Sequence, residues 1–260
     1  MNKSCRINAK SAGVIGIIGG VGAYAGLDLN RKIFEFSHAR TDQAYPEVYL
    51  LTVPSVPDRS RYLLYHDVVH PGKVLIEVVD KLCTIGVDVF AVPCNTAHSP
   101  EIIDMVATYC QDKEHHIRFV HMIKETAAVI TNTIVGIQRV GLLATLGTYF
   151  SRVYSQVLAK KSVSVLYPES KQDREDVHSS IYDPEYGIKS ISDPIHQKAI
   201  DILQKQGNNL LRQGAEAIIL GCTEISLAHS FLTFSVPVFD PLEILAQALL
   251  RAVAYTADKR

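Results

Sequence analysis

The sequence has almost no net charge. Its 26 Lys and Arg stand against 27 Asp and Glu, leaving −1 with histidine neutral, so the balance attracts neither nucleic acid nor an anionic membrane. It also lacks a long apolar run. The longest stretches reach about ten residues before a glycine or a charge breaks them, too short to span a bilayer. Cysteine is sparse: five, at positions 5, 83, 94, 110 and 222. An odd number with no framework spacing excludes a disulfide scaffold, and the absence of any C-x-x-C pair argues against a structural zinc site. No metal is expected, and a reducing, cytoplasmic compartment suits these thiols. The glycine loop Gly19-Gly20-Val21-Gly22 has no Lys-Ser/Thr behind it, which argues against a nucleotide phosphate site.

The N-terminus imitates a secretory leader, because Lys3, Arg6 and Lys10 precede an apolar stretch over 12–27 with Ala23-Tyr24-Ala25 as a cleavage-like site. Six glycines within that stretch (Gly13, Gly16, Gly19, Gly20, Gly22, Gly26) do not suit a cohesive signal helix. A first strand running into a glycine loop fits better.

What is present is an ordinary globular composition, 47% hydrophobic and 20% charged over 260 residues, enough for a sizeable core in one large or two smaller domains. Short β-branched runs alternate with amphipathic segments. The pattern predicts strands over 14–18, 47–52, 87–92, 140–144, 163–166, 217–220 and 236–239, and helices such as 72–82 and 194–213. This is the signature of mainly parallel sheets covered by helices, an α/β protein. Gly86 and Gly214 stand where a helix should end before the next strand.

The chain also repeats itself. Gly86, Asp88, an apolar run and Cys94 match Gly214, Glu216, an apolar run and Cys222, with each cysteine eight positions after its glycine. The start of one copy, Val14-Ile15-Gly16-Ile17-Ile18, is echoed by Val140-Gly141-Leu142-Leu143. Two pseudo-symmetric α/β halves follow, one carrying Cys94 and the other Cys222. Duplicated halves of this kind face each other across a cleft, with ligands at the carboxyl ends of the strands. Both cysteines fall there, each where a strand gives way to a helix.

Two facing cysteines with neither metal nor disulfide partner can act as an acid–base pair. A thiolate can remove an α-proton from one face of an amino acid, while a thiol returns a proton to the other. Inversion needs two groups on opposite sides, and a pseudo-symmetric cleft supplies them. Asn95, Thr96 and Thr223 offer donors to hold the substrate carboxylate while negative charge develops. Other residues have plainer readings. Cys5, Cys83 and Cys110 read as small buried hydrophobes. His98 could tune Cys94 or serve in packing, and Glu224 could orient Cys222 or favour a helix N-terminus. The polar run over 169–178 reads as a solvated loop or a helix start.

Pro93-Cys94-Asn95-Thr96-Ala97-His98 and Gly221-Cys222-Thr223-Glu224 resemble the paired signatures of the aspartate/glutamate racemase family. Supporting matches are Ile17-Ile18-Gly19-Gly20-Val21-Gly22, Pro57-Asp58-Arg59-Ser60, Met122-Ile123-Lys124-Glu125-Thr126 and 141–148, so the resemblance spans nearly the whole chain, 14–255. It implies a cofactor-independent racemase of two similar α/β domains, commonly a homodimer, acting on aspartate or glutamate. The family's C-terminal segment returns to the first domain, which implies 14–118 plus 236–260 carrying Cys94 and 119–235 carrying Cys222. Cys94 and Cys222 would be the catalytic pair, with Asn95, Thr96 and Ala97 binding the α-carboxylate and amine region. Arg59 would receive the side-chain carboxylate. Lys189 would be a second cationic contact, although its spacing from Ile181-Tyr182 is lengthened. The sequence departs from the family where Met and a Pro-x-Ala-Thr stretch usually follow the paired glycines; here stand Val21 and Ala23-Tyr24-Ala25-Gly26. A broad-specificity amino-acid racemase, or an isomerase or lyase of the same superfold acting on maleate, hydantoins or malonates, is an alternative, as is a non-catalytic acidic amino-acid binder. Arg59 with Lys189 favours a dicarboxylic amino acid, and retention of both cysteines favours catalysis.

Overall fold

The structure is a computed structural model describing residues 13–111 and 117–254. Lys3, Cys5, Arg6, Lys10 and Tyr255, which entered the sequence argument, lie outside the described residues. The eight strands among the described residues are β1 (Ile15–Gly19), β2 (Val48–Thr52), β3 (Val89–Ala91), β4 (Arg118–Phe119), β5 (Arg139–Ala144), β6 (Ser164–Leu166), β7 (Ile218–Gly221) and β8 (Val238–Phe239). They form two four-stranded parallel sheets, ordered β2-β1-β3-β4 and β6-β5-β7-β8. The α/β expectation holds, and the sheets repeat one plan.

The central strands are apolar on both faces because helices cover both sides of a parallel sheet. Every residue of β1 and β7 is buried. Two hydrophobic clusters sandwich the first sheet, one built around Phe90 and Leu75, the other around Ile17 and Leu245. Two more sandwich the second, around Tyr154 and Leu142 and around Leu220 and Leu203. Cys83 and Cys110 pack against the first of these clusters but are half-buried rather than buried as expected.

The repeat has a physical content beyond strand order. Asp88 accepts the backbone N–H of Val14 at 2.7 Å, while Glu216 accepts those of Gln138 and Arg139 at 2.7 and 3.1 Å. In each half the acidic residue therefore pins the strand carrying the cysteine to the start of the central strand. Gly86 and Gly214 take φ of +81° and +91° directly after helices Pro71–Thr84 and Gln197–Arg212, a left-handed turn open to glycine.

The chain passes between the halves a few residues from where the sequence placed the crossings. Phe119 pairs with Phe90 in the first sheet, so that half runs past 118. Val238–Phe239 pairs with β7 in the second sheet, so 236–239 does not belong to the first half; the return is made by helix Pro241–Ala252, whose Leu245 and Leu249 join the first core. A two-residue strand carries too little periodicity to announce its sheet. The polar run after Glu169 is helical: Ser170 and Asp173 form a reciprocal capping box at the head of helix Lys171–Tyr182. Among the described residues no helix is long and apolar enough to cross a membrane.

Candidate active site

Both sheets end toward a shared cavity, at the carboxyl ends of β3 and β7. Arg59, Cys94, Asn95, Thr96, Lys189, Cys222 and Thr223 line it, joined by Val21, Thr145, Tyr182 and Glu224. The structure thus brings together every expected site residue except Ala97, whose side chain is buried in the first hydrophobic cluster. The cavity is small, about 10 Å³, room for roughly one water molecule.

Each side chain arrives by a distinct local device. Asp58 caps helix Arg59–Tyr65, its Oδ1 accepting the Arg61 N–H at 2.7 Å, which sets Arg59 at the first helical position. The Arg59 guanidinium donates to the carbonyls of Val21, Pro57 and Val56 at 2.9, 3.1 and 3.3 Å. Its Nε is buried without a partner. Burial works against its charge, but Cys94 first, then Tyr182 and Asp58, outweigh it and raise Arg59 above its ordinary range. Val21, in the loop that departs from the family pattern, is therefore part of the cradle of this cation.

Lys189 reaches the cavity from a loop folded back on the end of helix Lys171–Tyr182. The N–H groups of Ile188 and Lys189 donate to Ser180 and Ile181 carbonyls, both at 3.0 Å. Asp183 turns the intervening chain by accepting from the Glu185 N–H at 2.8 Å. The longer spacing from Tyr182 is absorbed in that turn. The Tyr182 hydroxyl donates to Asp58 Oδ2 at 2.9 Å, tying the two halves together directly beside Arg59.

Cys94 follows β3 and Cys222 follows β7, with Cys222 at the head of the short helix Thr223–Leu227. The Cys222 thiol donates to Glu224 Oε2 at 2.9 Å, and Thr223 Oγ1 donates to the same oxygen at 3.2 Å. Glu224 Oε1 is ion-paired with the Lys189 ammonium. Burial, then the charge of Glu224, pushes the Cys222 thiol far above its ordinary range, with Lys189 opposing. Burial alone would raise Glu224, but Lys189 and the hydrogen bonds from Cys222 and Lys189 hold it below the usual carboxylate range. For Lys189 burial is likewise opposed and outweighed by Glu224, so it stays charged above its ordinary range. Gly22, at φ +132°, lets the glycine loop lie against this carboxylate; a Cβ there would stand 2.7 Å from Glu224 Oε1.

The donors beside Cys94 divide into used and free. Tyr154 OH donates to Asn95 Oδ1 at 2.5 Å, which fixes the amide and leaves its Nδ2 buried with no partner. The Thr96 hydroxyl instead meets those of Thr145 and Thr148 at 3.0 and 2.9 Å, and Ser60 Oγ donates to Thr145 at 3.3 Å. That hydroxyl cluster seams the halves. His98 is fully buried; its Nδ1 bonds the Cys94 carbonyl at 2.8 Å and its Nε2 accepts the Met122 N–H at 3.2 Å. This fixes the Nδ1–H tautomer, and burial lowers the ring to about 4. His98 positions the Cys94 backbone and is neutral at ordinary pH.

Sequence reading weighed Glu224, quoted Thr145 within the 141–148 match without giving it a role, and missed Tyr182 and Tyr154 as site residues, which carry no local signature. Away from the cavity, His229, Asp240 and Glu243 approach at metal-ligand spacing among the described residues. The Lys32 ammonium already stands 3.4 Å from Asp240 and 3.1 Å from Glu243.

A family model described as Asp/Glu/Hydantoin racemase matches residues 18–249. The chain is 24% identical over 241 residues to the broad specificity amino-acid racemase RacX of Bacillus subtilis (strain 168), covering 90% of this chain and 96% of that protein. Aspartate racemase from Picrophilus torridus superposes with a TM-score of 0.77 at 27% identity, over 95% of this chain and 96% of its own. An aspartate racemase homologue from Pyrococcus horikoshii OT3 shares the fold, with a TM-score of 0.70 at 24% identity over 92% and 98%. With its two parallel sheets, the chain belongs to the Asp/Glu/hydantoin racemase family and is an isomerase of the racemase class.

Proposed function

We propose that this enzyme interconverts the L and D forms of an acidic amino acid, aspartate or glutamate, with Cys94 and Cys222 as a two-base pair. The observation that carries the reading is that both thiols line one cavity with Arg59, Lys189 and the unpartnered amide of Asn95. In one half-cycle the Cys94 thiolate takes the α-proton and the Cys222 thiol, hydrogen-bonded to Glu224 Oε2 at 2.9 Å, delivers its own to the opposite face. The product leaves with Cys94 as thiol and Cys222 as thiolate, the form that accepts the other enantiomer. Asn95 Nδ2 donates to the α-carboxylate, where charge accumulates as the proton leaves. Arg59 and Lys189 receive the side-chain carboxylate. The two thiols move every proton the reaction needs, so no cofactor is part of the proposal.

Incubating the purified protein with a panel of L-amino acids in heavy water, followed by chiral chromatography and mass spectrometry, tests this. D-aspartate or D-glutamate carrying deuterium at Cα is expected. Racemisation of neutral amino acids alone would overturn the substrate, and inversion without deuterium uptake would overturn the mechanism. A homodimer in a reducing cytoplasm belongs to the same proposal, and sedimentation checks the assembly.

A further inference from the structure

The cavity between the cysteines is closed on its outer side by three side chains. A second chamber of about 240 Å³ lies next to it, lined by Gly20, Tyr24, Asp58, Ile188 and Leu227 among others. Among the described residues, Arg59, Lys189 and Glu224 alone line both spaces. They are therefore the partition. An inner space of about 10 Å³ cannot hold an amino acid, so a substrate coming from the outer chamber must move that wall.

The components of the wall differ in how firmly they are held. Three backbone carbonyls grip Arg59. Thr223 and Cys222 hold Glu224 Oε2, but Glu224 Oε1 and Lys189 hold chiefly each other across the opening. Lys189 also stands 5.3 Å from the Tyr182 ring centroid, a second resting place for its charge. Breaking a largely buried ion pair with nothing in exchange is costly, because each charge is left without its partner. A ligand carboxylate that takes Glu224's place on Lys189 removes most of that cost.

We infer that Glu224 is a specificity-determining residue: its carboxylate occupies Lys189 in the empty enzyme, and only a ligand bringing a second carboxylate can displace it and open the way to the cysteines. The inference rests on the acidic-substrate reading above and adds to it. On this account Lys189 is not a vacant substrate contact but an exchanged one. Amino acids with neutral side chains are kept out because they cannot repay the broken pair.

Succinate, a dicarboxylate with no α-amino group to react, is the probe. Calorimetry on Glu224→Gln should show succinate bound about fivefold tighter or more than by the unaltered enzyme, since the competing carboxylate is gone. Lys189→Met should weaken it about tenfold or more. A crystal structure of the unaltered enzyme with succinate should show a succinate carboxylate on Lys189 and Glu224 turned away from it, and this arm holds even if a variant fails to fold. Unchanged or weaker binding by a folded Glu224→Gln, succinate bound with the Lys189–Glu224 pair intact, or no succinate binding at all would overturn the inference. If the unaltered enzyme racemises aspartate or glutamate while the pair stays closed on succinate, this inference alone falls. If it racemises neither, the proposed function falls first.

Discussion

The Cys222 thiol donates to Glu224 Oε2 at 2.9 Å, so the two cysteines are unlike although they hold matching positions in a repeat. Cys94 lines the cavity with the Arg59 guanidinium, a cation, as its electrostatic partner. Cys222 has a carboxylate, itself neutralised by Lys189. A pseudo-symmetric fold thus carries an asymmetric acid–base pair, one cysteine beside a cation and the other beside an anion.

The asymmetry predicts how Cys222 answers to pH. Burial and then the Glu224 charge raise its ionisation, so Glu224→Gln removes one cause and leaves Lys189 facing the sulfur. The pH midpoint for iodoacetamide modification of Cys222, followed by peptide mass spectrometry, should move down in that variant. An unmoved midpoint would mean that the sulfur does not sense Glu224.

Tyr154 sets the orientation of Asn95. Tyr154→Phe leaves a buried amide oxygen without its donor, at a cost of about 1–3 kcal/mol in unfolding free energy. It also frees the amide to rotate. Urea denaturation should report the stability loss, and steady-state kinetics should show KM for the acidic amino acid rising several-fold, on the order of the loss of one hydrogen bond.

His98 makes the fold sensitive to acid. Unfolded, its ring takes a proton near 6.5; folded, burial delays this to about 4. Between those values the unfolded chain binds more protons, so this contribution to stability is complete above about 6.5 and lost as pH falls through the window. The loss is on the order of 3 kcal/mol. His121, lowered by burial and by His98 to about 2, adds in the same direction. Denaturation series between pH 7.5 and 4 should show this slope, and His98→Gln should flatten it while lowering stability at neutral pH.

Much of this was legible in the sequence, and the reasons are specific. Continuous apolar strands, each flanked by a glycine and an acidic residue, announced a doubled parallel sheet, and cysteines at equal distances from Gly86 and Gly214 announced a shared cavity. Arg59 was readable only through the family stretch Pro57-Asp58-Arg59-Ser60; the Asp58 cap that sets it came with the structure. Illegible were contacts made only by tertiary packing. Tyr154 lies 59 positions from the amide it orients and Tyr182 lies 124 from Asp58; nothing in their neighbours marks them. Lys189 lines the cavity with the cysteines, but its pairing with Glu224 was not legible, since an ion pair across 35 positions leaves no local pattern. The last strand was assigned to the wrong half because two residues cannot state which sheet they join.

The central claim is that both cysteines move protons. The most direct measurement is racemisation of the acidic substrate by Cys94→Ser and Cys222→Ser, each with an unaltered circular dichroism spectrum. Each variant should lose about 10²- to 10⁴-fold in rate in both directions, as expected when one member of an acid–base pair is removed. A variant of either cysteine racemising at the unaltered enzyme's rate would contradict the two-base account.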